Sequence, residues 1–454
     1  MPTFSLNGKT MTVPPGTTIL EAALTAGTEI PYYCYHPGLP VEGSCRMCQV
    51  EVERSPKLLV ACATPVAEGM VVRSGGAKVE KARRAVLEFY LLNHPLDCPV
   101  CDKGGECPLQ DYTMRFGPGG SRYTEPKVKR VKHRKIGPYI VFDAERCILC
   151  TRCVRFCRDV VGTGELGIVF RGAQSEIDLF PGKELDNRYS GNVIDLCPVG
   201  ALTSERYRFQ ARPWDLVKQE PSVCPGCSRG CSTVLDVRHL ERKGPEILRV
   251  RPRHNPDVNG YWMCDIGRFD YHWVEGDRRQ RQPSIGRAAS SRTVPWADAL
   301  MAVNDAVVAA GGAAAVRFFA SAHASLEELF VLRQIAAGTG GVTLGWRHRE
   351  KPQHAKTKFT IPSVDAPNVR GARDLGLITA ESGAPADVSK LKAAVAAGGV
   401  KVLYVFDPGP DGSIGETDWI IAARTAGKIG TLIVQAVLKT PLSDAADIVL
   451  PGSS

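Results

Sequence analysis

Apolar and polar positions follow two different periods in the two ends of this chain. Near the start, Phe4 to Leu6 and Thr10 to Val13 alternate around Asn7-Gly8, which predicts a β-hairpin. TTILEAALTA, over Thr17 to Ala26, spaces its apolar residues as a helix does and is followed by Gly27, a helix stop. A strand is expected at Cys48 to Val52, and KVEKARRAVLEFYLLN (Lys78 to Asn93) returns to helical spacing and ends on His94. From Pro295 onward the texture changes to apolar runs separated by Ala-rich stretches. Strands are predicted at Val316 to Ala320, Val402 to Phe406 and Thr431 to Val437. Helices are predicted at Ser325 to Ala337, with Ser325 and Glu328 as a capping box, and at Thr417 to Ala426. Strands alternating with helices imply an α/β layer with parallel strands.

Composition changes this picture through cysteine. Of sixteen cysteines, fifteen together with one histidine fall by spacing into four metal-ligand sets, all before residue 265. Cys34, Cys45, Cys48 and Cys62 form C-x10-C-x2-C-x13-C, and His94, Cys98, Cys101 and Cys107 form H-x3-C-x2-C-x5-C. Cys147, Cys150 and Cys153 form C-x2-C-x2-C, followed at a distance by Cys197-Pro198, and Cys224, Cys227, Cys231 and Cys264 form C-x2-C-x3-C-x32-C. Close C-x2-C spacings in so long a chain, with no cysteine after Cys264, favour metal over a disulfide framework.

The first set, one close pair with a distant partner on each side and no Cys-Pro, has a binuclear [2Fe-2S] pattern, although its first gap is wider than the x4 of plant-type ferredoxins. In the second set, three cysteines separated by Pro99, Gly104 and Gly105 need a fourth ligand, and His94 supplies it for a [4Fe-4S] cluster; a zinc site of the same three cysteines and one histidine is the competing reading. The third set retains half of a two-cluster bacterial ferredoxin pattern. In such proteins each C-x2-C-x2-C-x3-C-P run gives its last cysteine to the other run's cluster. Counting back from Cys197, the second run should have cysteines at positions held by Asn187, Ser190 and Val193. One cluster is therefore missing, the remaining one takes Cys147, Cys150, Cys153 and Cys197, and Cys157 is the orphaned ligand of the lost one.

The chain of 454 residues has room for three or four domains, and its 44% hydrophobic content is that of a soluble globular protein. No secretory leader pattern opens it and no run of about 18 apolar residues occurs, so a cytoplasmic chain touching membrane only through partners is expected. The net charge of +9 would suggest nucleic acid, but anionic iron-sulfur clusters account for it better. The basic run RYTEPKVKRVKHRK, Arg122 to Lys135, is expected to be a solvated connector, with a partner contact or cluster charge compensation as the alternatives. Gly311-Gly312 and Gly338 to Gly341 match neither dinucleotide nor phosphate-loop patterns and read as turns.

PYYCYHPGLPVEGSCRMCQVEVE, HPLDCPVCDKGGECPLQD and the motif order together resemble one family of NADH-quinone oxidoreductase components, the large iron-sulfur subunits of respiratory complex I. The likeness is strong over residues 1 to 270 and weak beyond. SVCPGCSRGCSTVLDV with YWMCDIGRFDYHW resembles the [4Fe-4S] module opening molybdopterin oxidoreductases, and ADIVLP resembles a stretch of that fold. The resemblance implies a multidomain α+β and α/β chain. Its parts would be a β-grasp [2Fe-2S] ferredoxin-type domain (1–77), a [4Fe-4S] module with one histidine and three cysteine ligands (78–120) and a bacterial-ferredoxin-like [4Fe-4S] domain (136–210). A molybdopterin-oxidoreductase-type [4Fe-4S] module (217–273) and a shortened α/β domain of that class (274–454) would follow. No molybdopterin is expected, since no cysteine follows Cys264 and Ile266 stands where that class tends to have a lysine.

What the family does is then implied here as well. The chain would be an electron relay of NADH:quinone oxidoreductase, taking electrons from the flavin-bearing, NADH-oxidising subunit and passing them to the ferredoxin-like iron-sulfur subunit. It would lie in the peripheral arm on the cytoplasmic side of the bacterial inner membrane. The order implied is the Cys34 set, then the Cys147 set, then the His94 set, with the Cys224 set off the route and structural. No residue is expected to act as general acid, base or nucleophile. The electron-transfer part of a formate dehydrogenase or NAD-linked hydrogenase, and a zinc-bearing scaffold, remain open alternatives.

Overall fold

The computed structural model describes residues 1–240 and 244–453, in two compact units. The first comprises residues 1–219, 236–251 and 354–359, the second residues 220–235, 252–353 and 360–454.

The first unit begins with a five-stranded sheet built from β1 (Thr3–Leu6), β2 (Lys9–Thr12), β3 (Gln49–Val52), β4 (Leu59–Val60) and β5 (Val71–Arg73), in the order β2-β1-β5-β3-β4. The predicted hairpin forms with Asn7 and Gly8 both at positive φ, the twist-matched two-residue turn that Asn-Gly favours. Helix α1 (Ile19–Thr25) packs Ile19, Leu20, Ala22 and Ala23 into this sheet's core, and Thr18 with Glu21 closes a capping box at its start. Helix α2 (Ala77–Leu91) delivers His94 and α3 (Pro108–Phe116) starts on Cys107 as its N-cap. Next come β6 (Arg134–Lys135), β7 (Ile140–Phe142), the short helix α4 (Arg152–Arg155), a hairpin of β8 (Leu166–Val169) and β9 (Glu176–Leu179), α5 (Asn192–Leu196) and β10 (Leu202–Ser204).

The basic run is exposed at most positions, as expected of a solvated connector, but several of its cations are anchored to the folded unit. Lys127 donates to the carbonyls of Leu91 and Leu92 at 2.7 and 2.9 Å, and Arg130 to those of Ser175 and Ala173. Lys132 pairs with Asp97 and Glu145, and Arg134 with Asp178. Helix-end carbonyls and buried carboxylates of the folded unit hold this strip down, and neither is visible in the strip's own composition.

After β10, the strands β11 (Leu216–Val223), β12 (Ser232–Leu240) and β13 (Gly244–Pro252) make a three-stranded sheet that periodicity did not reveal. The second unit then contains helix α6 (Asp265–Phe269), β14 (Ser284–Ile285), β15 (Arg292–Thr293), α7 (Trp296–Ala309), β16 (Val316–Ser321), α8 (Leu326–Ile335), β17 (Val342–Gly345), β18 (Val400–Asp407), β19 (Ile429–Ala436) and β20 (Ile448–Pro451). Its seven-stranded sheet runs β15-β14-β20-β19-β18-β16-β17, parallel from β20 to β17. Two apolar layers cover it, one around Phe318, Leu329 and Ile433, the other around Leu403, Val405 and Leu432. The first two predicted strands lie inside β16 and β18, the third lies in β19 except that Val437 falls just past its end, the Ser325–Glu328 capping box is present on α8, and the predicted second helix spans Asp418–Thr425. Among the described residues no helix is long and apolar enough to cross a membrane.

Candidate iron-sulfur centres

Each of the four spacing-defined sets comes together. In the first, Cys34 hydrogen-bonds with Cys45 and Cys62, and Cys62 with Cys48; all four thiols are buried. The bonds from Cys45 and Cys62 hold the Cys34 thiol far below its ordinary range, and the same contacts push Cys45 and Cys62 up. Metal-free, these thiols share protons, and a cationic metal that binds thiolate would displace them. The Tyr33 amide points at Cys45 Sγ (3.5 Å), and the Tyr90 hydroxyl donates to the Cys45 carbonyl (3.1 Å).

His94, Cys98, Cys101 and Cys107 line one open cavity of about 540 Å3. His94 Nδ1 is buried, with no hydrogen-bond partner among the described residues. Burial, then the charges of Arg146 and Lys127, push the imidazole pKa down to about 4, so the ring is neutral at pH 7, the form that binds metal. Burial pushes the Cys107 thiol up to about 11. Beside this set Gly200 leaves room no other residue could leave: a Cβ there would lie 2.1 Å from Cys101 Sγ.

Cys147, Cys150, Cys153 and Cys197 line a small separate cavity. Leu149 and Thr151, on either side of Cys150, both adopt left-handed φ near +55° and +60°. Such alternation turns successive amides inward to make a nest for an anion, a device of many iron-sulfur sites. The Leu149 amide lies 3.4 Å from Cys147 Sγ. Cys157 lies outside this cavity lining, fully buried and hydrogen-bonded to Glu165, whose carboxylate also accepts from Thr163 (2.6 Å) and Asn187 (2.9 Å). A polar knot thus joins Cys157 to Asn187, one of the three positions the ferredoxin pattern would fill with cysteine.

In the second unit, Cys224, Cys227, Cys231 and Cys264 line a cavity with Lys351, Ile266 and Ile361. The three near cysteines occupy the turn between β11 and β12, and Cys264 is the N-cap of α6, with the Gly267 amide 3.4 Å from its sulfur. A Cβ on Gly267 would stand 2.7 Å from Cys224 Sγ. Burial raises all four thiols, Cys264 to about 11 and Cys231 to about 12. Lys351 is tied to Asp365, which also accepts from Arg347 (2.9 Å) and Arg349 (2.6 Å).

The donor sets fit iron-sulfur clusters. Sixteen soft or imidazole donors sit in four groups, several with amides aimed at sulfur, two with a glycine where a side chain would strike a ligand atom. Among the described residues no group of three or more His, Cys, Asp or Glu closes on one point as a single metal ion requires. A [4Fe-4S] cubane, in contrast, takes one protein donor at each of its four irons. Spacing did not single out Gly200, Arg146, Arg152, Arg155 or Lys351. The first follows Cys197-Pro198-Val199 and could have been suspected from that closeness, but the cations gave no signal.

Comparison with known proteins matches these stretches one by one. Family models match residues 1–76 (2Fe-2S iron-sulfur cluster binding domain), 83–122 (NADH-ubiquinone oxidoreductase-G iron-sulfur binding region), 137–203 (NADH-quinone oxidoreductase subunit 3, ferredoxin-like domain) and 230–272 (NADH-ubiquinone oxidoreductase NDSU1/NuoG-like, 4Fe-4S domain). The NADH-quinone oxidoreductase G subunit of Rickettsia bellii is 41% identical over 330 residues, 73% of this chain and 47% of that protein. The NADH-ubiquinone oxidoreductase 75 kDa subunit of Reclinomonas americana is 47% identical over 293 residues, 64% of this chain and 41% of its own length. The mitochondrial NADH dehydrogenase [ubiquinone] iron-sulfur protein 1 of Solanum tuberosum is 45% identical over 302 residues, 66% and 39% of the two chains. A solved NAD+-reducing [NiFe]-hydrogenase in the H2-reduced state shares 31% identity at a TM-score of 0.42, covering 46% of this chain and 90% of that one. The chain spans about half or less of the length of these curated relatives. Over the matched stretch it belongs to the family of the NADH-quinone oxidoreductase G subunit and its mitochondrial counterparts, with one 2Fe-2S and several 4Fe-4S domains.

Proposed function

We propose that this chain is an electron relay of an NADH:quinone oxidoreductase, binding one [2Fe-2S] cluster at Cys34, Cys45, Cys48 and Cys62 and three [4Fe-4S] clusters at the His94, Cys147 and Cys224 sets. Its partners in this reading are the flavin subunit that oxidises NADH and the ferredoxin-like iron-sulfur subunit on the way to quinone. Bound clusters supply one-electron redox chemistry without bond making. The chain's own residues fix the distances, exclude water and set the local field.

One observation carries the reading: residues flanking the members of the Cys147 set are hydrogen-bonded to both neighbouring sets' loops in the first unit. Arg152 and Arg155 beside it donate to the carbonyls of Tyr35 and Cys34, and Cys107 Sγ of the His94 set lies 3.8 Å from the Pro198 carbonyl, next to Cys197. That position suits a relay from the first set through the third to the second, an order that differs from chain order. The Cys224 set is given a structural role, since the α/β unit that follows has no cysteine to hold molybdenum. That unit is read as a molybdopterin-oxidoreductase-like domain.

Low-temperature EPR of the reduced protein with iron and acid-labile sulfide counted tests this. About 14 irons per chain, with one binuclear and three cubane signals, is the expected result. Zinc without sulfide would overturn it.

A further inference from the structure

Arg155, the last residue of α4, is 1% exposed, and the ion pair its guanidinium forms is a long one. The carboxylate paired with it, Glu42 Oε2, stands 3.9 Å from Nε on a side chain that is 38% exposed. Backbone takes the guanidinium instead. Nη1 donates to the Pro40 carbonyl (2.5 Å), Nη2 to the carbonyls of Cys34 and Cys150 (3.3 Å for Cys150), and Nε to Thr151 Oγ1 (3.1 Å). Cys34 belongs to the first set and Cys150 to the third. One planar cation therefore holds the ligand loops of two centres together. Arg152 makes a weaker version of the same link, from the Tyr35 carbonyl (2.5 Å) to the carbonyl of Leu196 (3.1 Å), the residue before Cys197.

A guanidinium keeps its proton in any protein, and a buried charge is costly unless something nearby opposes it. Carbonyl dipoles offset part of that cost. The rest of the opposing charge is available on both sides, because thiolate-bound iron-sulfur centres are anionic and gain one more negative charge on reduction. In the low-dielectric space between the two sets, the cation favours the reduced form of each.

We propose that Arg155 is the positioning residue for electron transfer between the first and third sets: its fork fixes the two ligand loops against each other, and its charge raises the reduction potential at both. This rests on the ligand assignment proposed above. The step moves one electron from one site to the other; no bond is made or broken and no proton moves. Lysine in its place would keep the charge and lose the planar fork.

The test is an EPR-monitored redox titration of the iron-loaded full chain, comparing wild type with Arg155→Met and Arg155→Lys. In Arg155→Met the reduced-to-oxidised ratio at fixed potential should fall at least tenfold at both sets, a shift of about 59 mV. The His94 and Cys224 signals should keep their potentials. Arg155→Lys should recover most of the shift while freeze-quench transfer between the two sets stays slow. Unmoved potentials in an iron-replete Arg155→Met overturn the proposal. If that variant lacks iron at either set, Arg155→Lys decides: full iron with near-native potentials supports the charge role, and loss of iron there too makes the side chain a structural prop and overturns it. A wild-type protein with no binuclear and cubane signals at these sites would instead defeat the ligand assignment before any variant is compared.

Discussion

The two units differ in what holds them together. The second has a conventional core: a parallel sheet with Phe318 and Ile433 on one face and Leu403 and Leu432 on the other, all buried or nearly so. In the first, the opening sheet has such a core, and the region from His94 to Leu202 combines short helices, short strands and turns, in which buried apolar residues such as Phe142, Phe156 and Leu196 are interspersed with cysteines and buried arginines. Arg146 and Arg155, each almost fully buried, are among the largest enclosed side chains of the chain. Buried charges and cysteines interrupt the apolar packing there, and cluster binding is expected to supply part of the region's folding free energy.

Iron removal should therefore break the comparison most visibly. In protein made without iron or stripped by a chelator, hydrogen exchange read by mass spectrometry should show residues 94–202 exchanging freely while β16, β18 and β19 stay protected. Equal protection of both would mean that the first unit does not depend on its clusters. Gly200→Ala comes next. Its methyl group would lie 2.1 Å from Cys101 Sγ, so iron analysis should fall by about four per chain, with the loss confined to the His94 signal. Gly267→Ala, at 2.7 Å from Cys224 Sγ, should remove the fourth signal in the same way.

Core truncation in the second unit is the mirror experiment. Leu432→Ala should cost about 2–5 kcal/mol in that unit's thermal or denaturant transition and leave iron content unchanged. A pH effect of smaller size is expected at Asp407, whose carboxyl burial pushes up to about 6 despite bonds from Ser413 and the Gly409 amide. The folded state keeps this proton to about pH 6, whereas an unfolded carboxyl releases it near 4. Over that window the folded state binds more protons, so stability contributed here falls as pH rises from 4 to 6 and returns on acidification. Asp407→Asn should flatten that slope in pH-dependent melting of the second unit; an unchanged slope would remove Asp407 as its source. Cys157→Ser should do least, keeping all iron and all four signals. A loss of about four irons would make Cys157 a ligand.

Legibility in the sequence was uneven for reasons that trace to individual residues. The Asn7-Gly8 turn, the Ser325 to Glu328 cap and the strand runs of the α/β unit are local features, and local backbone chemistry shows in a short window. Strand β11 escaped because LVKQEPSV is mostly exposed and polar, so no alternation marks a buried face. The left-handed Leu149 and Thr151 escaped as well, because neither residue type prefers that conformation and the surrounding fold imposes it.

The sequence by itself determined the four donor sets, since thiolate and imidazole chemistry at fixed spacing admits few alternatives, and it marked Cys157 as the odd one out. Tertiary structure alone decided which sets are neighbours. A contact such as Arg155 to the Cys34 carbonyl spans 121 positions in the chain. No local pattern encodes it, because a buried guanidinium takes its partners from whichever carbonyls folding brings within reach.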